Sequence, residues 1–418
     1  MTQSQQIIDL KGMTLDELEA FAQRLGEPRY RGRQIAHWLY QRGATSFAEM
    51  TDLPAALRAR LTTDAVFTSL SSVTALAADG GDTMKYLLRL ADGATIETVF
   101  MRYQDGRRSV CISTQVGCGM GCTFCATGLA GLTRNLSAAE IIDQVLLVHR
   151  TTGERVTNVV FMGMGEPLAN YEATLRAIRL LSAPYGLGIG MRHLTVSTVG
   201  LVPQIRALAS ERLQLTLAVS LHAPTDDLRG QLVPVNRKWP VAELLDASGE
   251  YVRQTGRRIS FEYVLMKGVN DTPELAAILG ELLRARAGGM VADDAPPAGI
   301  PVGESHGELP QGGRSGYAFH VNLIPWNPVY GLQYQRPDRE RVAAFVQGLR
   351  ERGIPTTVRL ERGVDIDAAC GQLQRTHGAT APGNPNPGLA GSGRSAETRE
   401  RGSATGKGTA NTIAKHSG

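Results

Sequence analysis

The sequence predicts an α/β fold: a partial or complete (βα) barrel, preceded by a small N-terminal helical domain and a short β-hairpin extension. Three observations carry this. From about residue 110 to 372, near-continuous apolar runs alternate with helix-like stretches, the pattern of a parallel sheet covered by helices. Before residue 65 the apolar residues recur at helical spacing, and between 66 and 103 the period shortens to that of strands. A chain of 418 residues, 42% hydrophobic, is long enough to bury a large core.

Residues 1–65 read as helices. In TLDELEAFAQRLG, Leu15, Leu18, Phe21 and Ala22 share one helical face and Gly26 supplies a stop; RQIAHWLYQRG repeats the form and ends at Gly43. From Pro28 to Phe47 the chain carries Arg29, Arg31, Arg33 and Arg42 and no acid, interleaved with Tyr30, His37, Trp38 and Tyr40. Basic and aromatic groups together suit phosphates and unstacked bases, so residues 1–65 are a candidate nucleic-acid-binding accessory domain. The competing reading is a helix with Trp38 and Leu39 in the core and its arginines in water.

Residues 66–103 form a linker region whose β-rich runs flank Asp92-Gly93, a hairpin signal. The barrel is placed at 104–373. Its strands are predicted at 157–163, 193–198, 213–221, 258–265, 318–325 and 356–360, and its clearest helix opens at Ser137, which with Glu140 makes a capping box. Chemistry in such a barrel sits at the carboxyl ends of the strands. Two segments depart from the pattern. Residues 288–316, rich in glycine and proline, read as a mobile insertion. Residues 374–418 offer only Leu389 and Ile413 as sizeable apolar side chains and read as a disordered tail. That tail holds six basic and two acidic residues and so accounts for the net charge of +4; global charge says little about partners.

Four of the five cysteines fall within CISTQVGCGMGCTFC, and the fifth, Cys370, lies far away in VDIDAACGQL. So few thiols, so clustered, do not make a disulfide framework. With an amino terminus lacking a signal peptide and no apolar run of membrane-spanning length, the expected setting is a reducing cytoplasm and no membrane. Cys118, Cys122 and Cys125 form C-x3-C-x2-C: three thiolates on one loop, with the fourth position of a metal site left open. That donor set favours an iron–sulfur cluster. Catalytic zinc and an inert trio of buried thiols are the alternatives.

At this point the chain resembles the radical S-adenosylmethionine (SAM) superfamily, whose signature is C-x3-C-x2-C after the first strand of a βα barrel of the radical SAM type. The resemblance implies one [4Fe-4S] cluster on Cys118, Cys122 and Cys125, with SAM chelated at the open iron. FMGMGEPLAN looks like the turn that holds the SAM ammonium group, here Gly165 and Glu166. LTVSTVG, VSLHAP and VNLIPWNP match SAM-contact positions at Ser197, at Ser220, Leu221 and His222, and at Asn327.

Within the superfamily the chain is most similar to the dual-specificity RNA methyltransferases, over residues 10–373. The hallmark is two further cysteines, Cys111 in CISTQVGC and Cys370 in DIDAACGQL. The resemblance implies methylation of C2 of an adenine in 23S rRNA and in certain tRNAs, with an electron donor such as flavodoxin and two SAM molecules per turnover. C2 is an electron-poor carbon without an acidic proton, so polar transfer fails there and a radical route is needed. In the implied scheme Cys370 becomes S-methylcysteine at the expense of one SAM, a nucleophilic step requiring thiolate. A second SAM yields the radical that activates this methyl, the carbon adds to C2, and Cys111 resolves the adduct through a transient disulfide with Cys370. The barrel is expected to bring its last strand beside its first and so unite the two thiols. Glu97, in ATIETVF, matches the family's proton acceptor; an outward carboxylate on a strand is the plain alternative, and Cys111 could itself be the base. Two other functions share these motifs in whole or part: a sister enzyme that methylates C8 of the same adenine, and a non-catalytic RNA-binding protein with a structural metal.

Overall fold

Capping and periodicity set the helices where the sequence places them. The computed structural model describes residues 8–287, 318–359 and 362–373; the predicted insertion at 288–316 and the tail from 374 lie outside the described residues. The chain begins with β1 (Ile8–Asp9), α1 (Leu15–Arg24), α2 (Tyr30–Ala36), α3 (Ala55–Asp64) and β2 (Ala65–Val66). Thr14 and Glu17 close a capping box on α1. The second predicted helix is interrupted: α2 passes into a π-helical turn at His37–Gln41, which buries Leu39 and Tyr40. Gly32 lets α2 meet α1, because a Cβ there would lie 2.5 Å from the backbone of Glu19.

Next come β3 (Ser71–Ala78), β4 (Thr83–Arg89), β5 (Thr95–Arg102) and β6 (Arg108–Cys111). The expected hairpin is there between β4 and β5, but it is part of something larger. These strands are antiparallel neighbours, and β6 continues the same sheet into the barrel. A small hairpin of β7 (Gln115–Gly117) and β8 (Leu132–Asn135) then encloses α4 (Ala126–Leu129). Beyond it the predicted alternation holds: α5 (Ala138–Thr152), β9 (Asn158–Phe161), α6 (Tyr171–Ser182), β10 (Leu194–Thr198), α7 (Val202–Ser210), β11 (Thr216–Ser220), α8 (Asp226–Leu232), α9 (Val241–Thr255), β12 (Ile259–Leu265), α10 (Pro273–Ala287), β13 (Phe319–Pro325), α11 (Arg339–Arg350) and β14 (Thr356–Val358). Ser137 and Glu140 cap α5 as the sequence predicts.

The large sheet runs β14-β13-β12-β11-β10-β9-β6-β5-β4-β3, parallel from β14 to β6 and antiparallel beyond. Val196, Leu217, Phe261 and Val321, from four successive strands, are fully buried, each such side chain stabilising the fold by roughly 1.5–3 kcal/mol. The barrel is partial. β6 already has β9 on one edge and β5 on the other, so its ladder is complete and β14 cannot pair with it. The expectation of a last strand beside the first is therefore corrected: residues 362–373 cross the gap instead. Gly363 N–H donates to Asp79 Oδ2 (3.0 Å), Arg362 Nη1 to the Arg102 carbonyl (2.9 Å) and Lys85 Nζ to the Asp367 carbonyl (3.3 Å).

The helical segment is docked on α5 through a buried ion pair and on α6 through Arg176, which donates to the Gly12 carbonyl and to Glu17. Lys11 Nζ meets Asp143 Oδ1 at 2.6 Å with both side chains fully buried, and Asp143 Oδ2 accepts the Leu70 N–H at 2.6 Å. Such a pair, stripped of one partner, leaves an uncompensated buried charge. Tyr40 OH accepts from Gly12 N–H and donates to the Met13 carbonyl.

Candidate active site at the barrel mouth

The residues singled out in the sequence converge on one rim, because successive parallel strands end on the same side of the sheet. Cys111 ends β6, Ser197 lies near the end of β10, Ser220 ends β11, and Asn327 follows β13. Gly165 and Glu166 lie in the turn after β9. This turn presses against the chain that continues β6: Gly163 N–H donates to the Ile112 carbonyl, Met164 N–H to Ser113 Oγ, and Glu166 N–H to Gln115 Oε1 (2.8 Å). Gly165 has φ +105°, and a Cβ there would stand 2.6 Å from that of Gln115. Only glycine fits such a backbone and such a gap. The buried Glu166 carboxylate accepts from Leu168 N–H (3.0 Å) and Val199 N–H (2.7 Å), tying the turn to the end of β10. Burial pushes its carboxyl up to about 7, against the pull of these donors.

At the end of β11 the chain turns sharply. Leu221 is wholly buried, and His222 takes a left-handed conformation (φ 61°) unusual for a non-glycine residue. Its Nδ1 accepts the Val264 N–H at 3.1 Å, and its ring packs edge-on against Phe124, centroids 4.8 Å apart, between two of the clustered cysteines. Burial, aided by Arg229, lowers its pKa to about 3, so the imidazole is neutral. Arg229, fully buried, donates to the carbonyls of Leu221, Val199 and Ser220 and to Asn236 Oδ1, fastening the ends of β10 and β11 together.

Cys118, Cys122 and Cys125 stand on the loop between β7 and α4. Burial pushes the Cys118 thiol up to about 11 and raises Cys122 and Cys125 as well, with the other thiols and Glu166 adding to the effect. Buried thiols of this kind give up their protons to a metal. Among the described residues no three His, Cys, Asp or Glu side chains converge to hold a single metal ion. An iron–sulfur cluster does not ask for that, since each thiolate binds a different iron. The all-sulfur donor set, the shared loop and the open fourth position fit a [4Fe-4S] cluster.

The remote fifth cysteine is brought to this loop by backbone contacts. Ala126 N–H donates to the Gly371 carbonyl (2.9 Å), Thr127 Oγ1 to the Leu373 carbonyl (2.6 Å), and Asn327 Nδ2 to the Cys370 carbonyl (3.2 Å). Trp326 Nε1 reaches the Phe124 carbonyl at 3.3 Å. Among the described residues Asn327 Oδ1 is buried without a hydrogen-bond partner, an acceptor that a ligand could satisfy. Cys370, Cys111, Asn327 and Arg359 line one narrow cavity, together with Val99, Met101, Tyr103 and Met162. All five cysteines are free thiols, so Cys111 and Cys370 face each other unjoined. Burial, then the neighbouring Cys370, drives the Cys111 thiol up to about 12.

Glu97 is not an outward strand carboxylate. It is 2% exposed and pairs with Lys85 at 3.1 Å. It shares the pleat face of Val99, which stands opposite Cys111, and lies one repeat nearer the barrel mouth. The basic stretch of the helical segment is also altered by the fold. Glu19, from the preceding helix, pairs with Arg29 (2.5 Å) and Arg33 (2.7 Å), and Glu27 approaches Arg31. Sequence reasoning passed over Gln115, Arg229 and Arg359. Gln115 stood in a quoted motif, and Arg359 in a predicted strand, without a signal that would mark either.

The fold and this site define a radical SAM enzyme, and residues 112–278 match the Radical SAM superfamily. Residues 8–67 match the family described as the ribosomal RNA large subunit methyltransferase N-terminal domain. Relatives named "Probable dual-specificity RNA methyltransferase RlmN" include that of Pelotomaculum thermopropionicum, 50% identical over 88% of this chain and 92% of its own length. Another, from Symbiobacterium thermophilum, is 48% identical over 88% and 92%. The crystal structure of a radical SAM methyltransferase from Sphaerobacter thermophilus superposes with a TM-score of 0.77 at 49% identity, covering 88% of this chain and 99% of that one. The chain belongs to the RlmN family of radical SAM RNA methyltransferases; it is a SAM-dependent enzyme of RNA methylation. No described helix is long and apolar enough to cross a membrane.

Proposed function

We propose that the enzyme methylates C2 of an adenine in 23S rRNA and in tRNA, with Cys370 as methyl carrier and Cys111 as the thiol that releases the product. The observation that carries this is the single cavity shared by Cys111 and Cys370, beside the cysteine loop. Cys118, Cys122 and Cys125 would hold the cluster, which when bound would supply the electron for reductive cleavage of SAM. Gly165, Glu166, Ser197, Ser220, Leu221, His222 and Asn327 hold SAM along the rim, the orphaned Asn327 oxygen and the Glu166 carboxylate being acceptors for its ammonium or ribose groups.

Cys370, as thiolate, takes a methyl from one SAM; a second SAM is consumed in the radical step, with flavodoxin or a similar donor supplying the electron. Glu97 accepts the proton from C2 as the adduct gives up its unpaired electron, for which the oxidised cluster would be the acceptor, and Lys85 beside it steadies the carboxylate. In the release step the Cys111–Cys370 bond forms as the bond from Cys370 to the transferred carbon breaks, and that carbon takes up a proton. Residues 1–65 present the RNA, and residues 104–373 carry the chemistry.

Two variants test the assignment. Cys370→Ala should place no methyl on protein or RNA. Cys111→Ala should keep the carrier and accumulate a covalent protein–RNA species that survives denaturant, visible as a shifted band. Wild-type turnover by Cys111→Ala, or inactivity of both without an adduct, refutes the roles. Nucleoside mass spectrometry of the product separates C2 from C8 methylation, and parallel assays on tRNA settle the second substrate.

A further inference from the structure

A substrate adenine has to reach the cavity of Cys111 and Cys370, so the nucleotides on either side of it must lie across the rim. Two surface turns border the cysteine loop on that rim, and Thr123 of the loop holds both. Its N–H donates to the Leu232 carbonyl (3.1 Å), at the end of α8, and its hydroxyl shares a hydrogen bond with Tyr334 OH (2.8 Å), in the chain after β13. The turns thus follow β11 and β13, with β12 between them in the sheet.

The first turn, residues 233–240, stands on a fixed frame. Asp226 Oδ1 accepts from Asn236 Nδ2 (3.0 Å) and from Val241 N–H (2.7 Å), and Asn236 Oδ1 accepts from the buried Arg229 (2.9 Å). Between these anchors Arg237 and Lys238 are exposed, and Lys238 Nζ lies 4.7 Å from the centroid of the half-buried Trp239 ring. Among the described residues neither cation has a carboxylate partner, whereas Arg29 and Arg33 share Glu19. Unspent cations on a rigid turn suit backbone phosphates. The second turn, residues 328–332, is tied to the segment that carries Cys370. Asn327 Nδ2 donates to the Cys370 carbonyl, and Gln372 Nε2 donates to the Pro328 carbonyl at 2.8 Å. Leu332 N–H closes the turn on the Val329 carbonyl (3.1 Å), and Tyr330 at its tip is 92% exposed. No other large apolar side chain among the described residues is as exposed. A free ring of this kind offers a face on which any base can stack.

We propose that these two turns form a second RNA-contact surface, at the barrel mouth and separate from the helical segment. Arg237 and Lys238 take phosphates of the strand on the β11 side of the cavity, and Tyr330 stacks on an unpaired base on the β13 side. The inference rests on the reading of an rRNA adenine as the substrate of the Cys111–Cys370 cavity. A basic turn and a lone exposed ring on either side of a cavity fit an unpaired strand. A protein electron donor has no need of the Cys370 side of the rim.

The test uses full-length, cluster-loaded enzyme and an unmethylated 23S rRNA fragment spanning the target adenine, with binding and methylation followed across a range of salt. Arg237→Ala with Lys238→Ala should weaken binding and flatten its dependence on log salt by about one to one and a half units, the share of two phosphates on a single strand. Tyr330→Ala should weaken binding about tenfold with the salt slope unchanged, and Tyr330→Phe, which keeps the ring, should bind within about twofold of wild type. Cluster absorbance, and RNA-free SAM cleavage driven by dithionite, should be unaltered in all three. A wild-type salt slope in the double variant overturns the phosphate contact, and wild-type binding by Tyr330→Ala overturns the stacking contact. Loss of SAM cleavage with flavodoxin as donor, while dithionite still supports it, would give the surface to the electron donor and overturn the proposal. If wild-type enzyme neither binds nor methylates the fragment, the rRNA reading itself falls, and this inference with it.

Discussion

His222 shows how one side chain can serve geometry and still leave a trace in bulk behaviour. Its left-handed backbone turns the chain at the end of β11, its Nδ1 fixes Val264, and its ring props Phe124 in the cysteine loop. Folding lowers its pKa from the ordinary value near 6.5 to about 3. A depressed folded pKa means that the unfolded chain binds the proton first. The contribution of His222 is thus fully present above about pH 6.5 and is lost as pH falls toward 3. Between pH 7 and pH 5 that amounts to about 2 kcal/mol. His222→Gln, which keeps an acceptor for Val264, should show a correspondingly shallower loss of stability over that interval in anaerobic urea unfolding. Parallel pH dependences for variant and wild type would contradict the assignment. His320, also lowered to about 3, contributes equally in both and does not disturb the comparison.

At the scale of elements, the turn after β9 is shaped by close approach more than by its own hydrogen bonds. Gln115 fills the space where a side chain at position 165 would sit, and its amide bridges Glu166 N–H to Asn135 on β8. Gly165→Ala must therefore move either the turn or Gln115, and it also strains a backbone at φ +105°. A cost above about 1 kcal/mol is expected. The variant should bind SAM poorly, with KM raised about tenfold or more, while the brown cluster absorbance from Cys118, Cys122 and Cys125 persists. Normal SAM binding would show that the turn can shift without consequence.

For the whole molecule, the helical segment and the barrel share buried charge. Deleting residues 1–65 would strip Lys11 from Asp143 and remove Tyr40, so the deletion would probe folding as much as RNA docking. Substitution at the surface is the cleaner test. Arg29 and Arg33 are 59% and 60% exposed at the side chain and share Glu19. Glu19 itself is buried, but both guanidiniums lie on the solvent side and can turn to phosphate. Arg29→Ala with Arg33→Ala should raise KM for RNA and flatten its dependence on log salt by about one to two units. SAM cleavage without RNA should be unchanged. An unaltered salt slope would remove this face from the RNA interface.

Local sequence determined a good deal by itself. The C-x3-C-x2-C spacing places three thiols on one loop whatever the fold around it. The apolar runs at 158–161, 194–198, 216–220, 259–265 and 319–325 are strands wherever they pack, and Ser137 with Glu140 starts a helix. Resemblance to the radical SAM family marks Ser197, Ser220 and Asn327, and the ends of parallel strands put them on one rim. Tertiary structure decided what depends on pairs distant in the chain. Whether Arg29 and Arg33 are free or share Glu19, and whether Glu97 faces water or Lys85, follows from how helices and strands pack. The route of Cys370 to Cys111 was decided there too. β5 occupies the edge of β6 that a closed barrel would have left for β14, so a crossing segment carries Cys370 instead. Arg359 has no local mark at all: a guanidinium's partners are set by long-range contacts, and only the folded chain puts it into a cavity with two thiols.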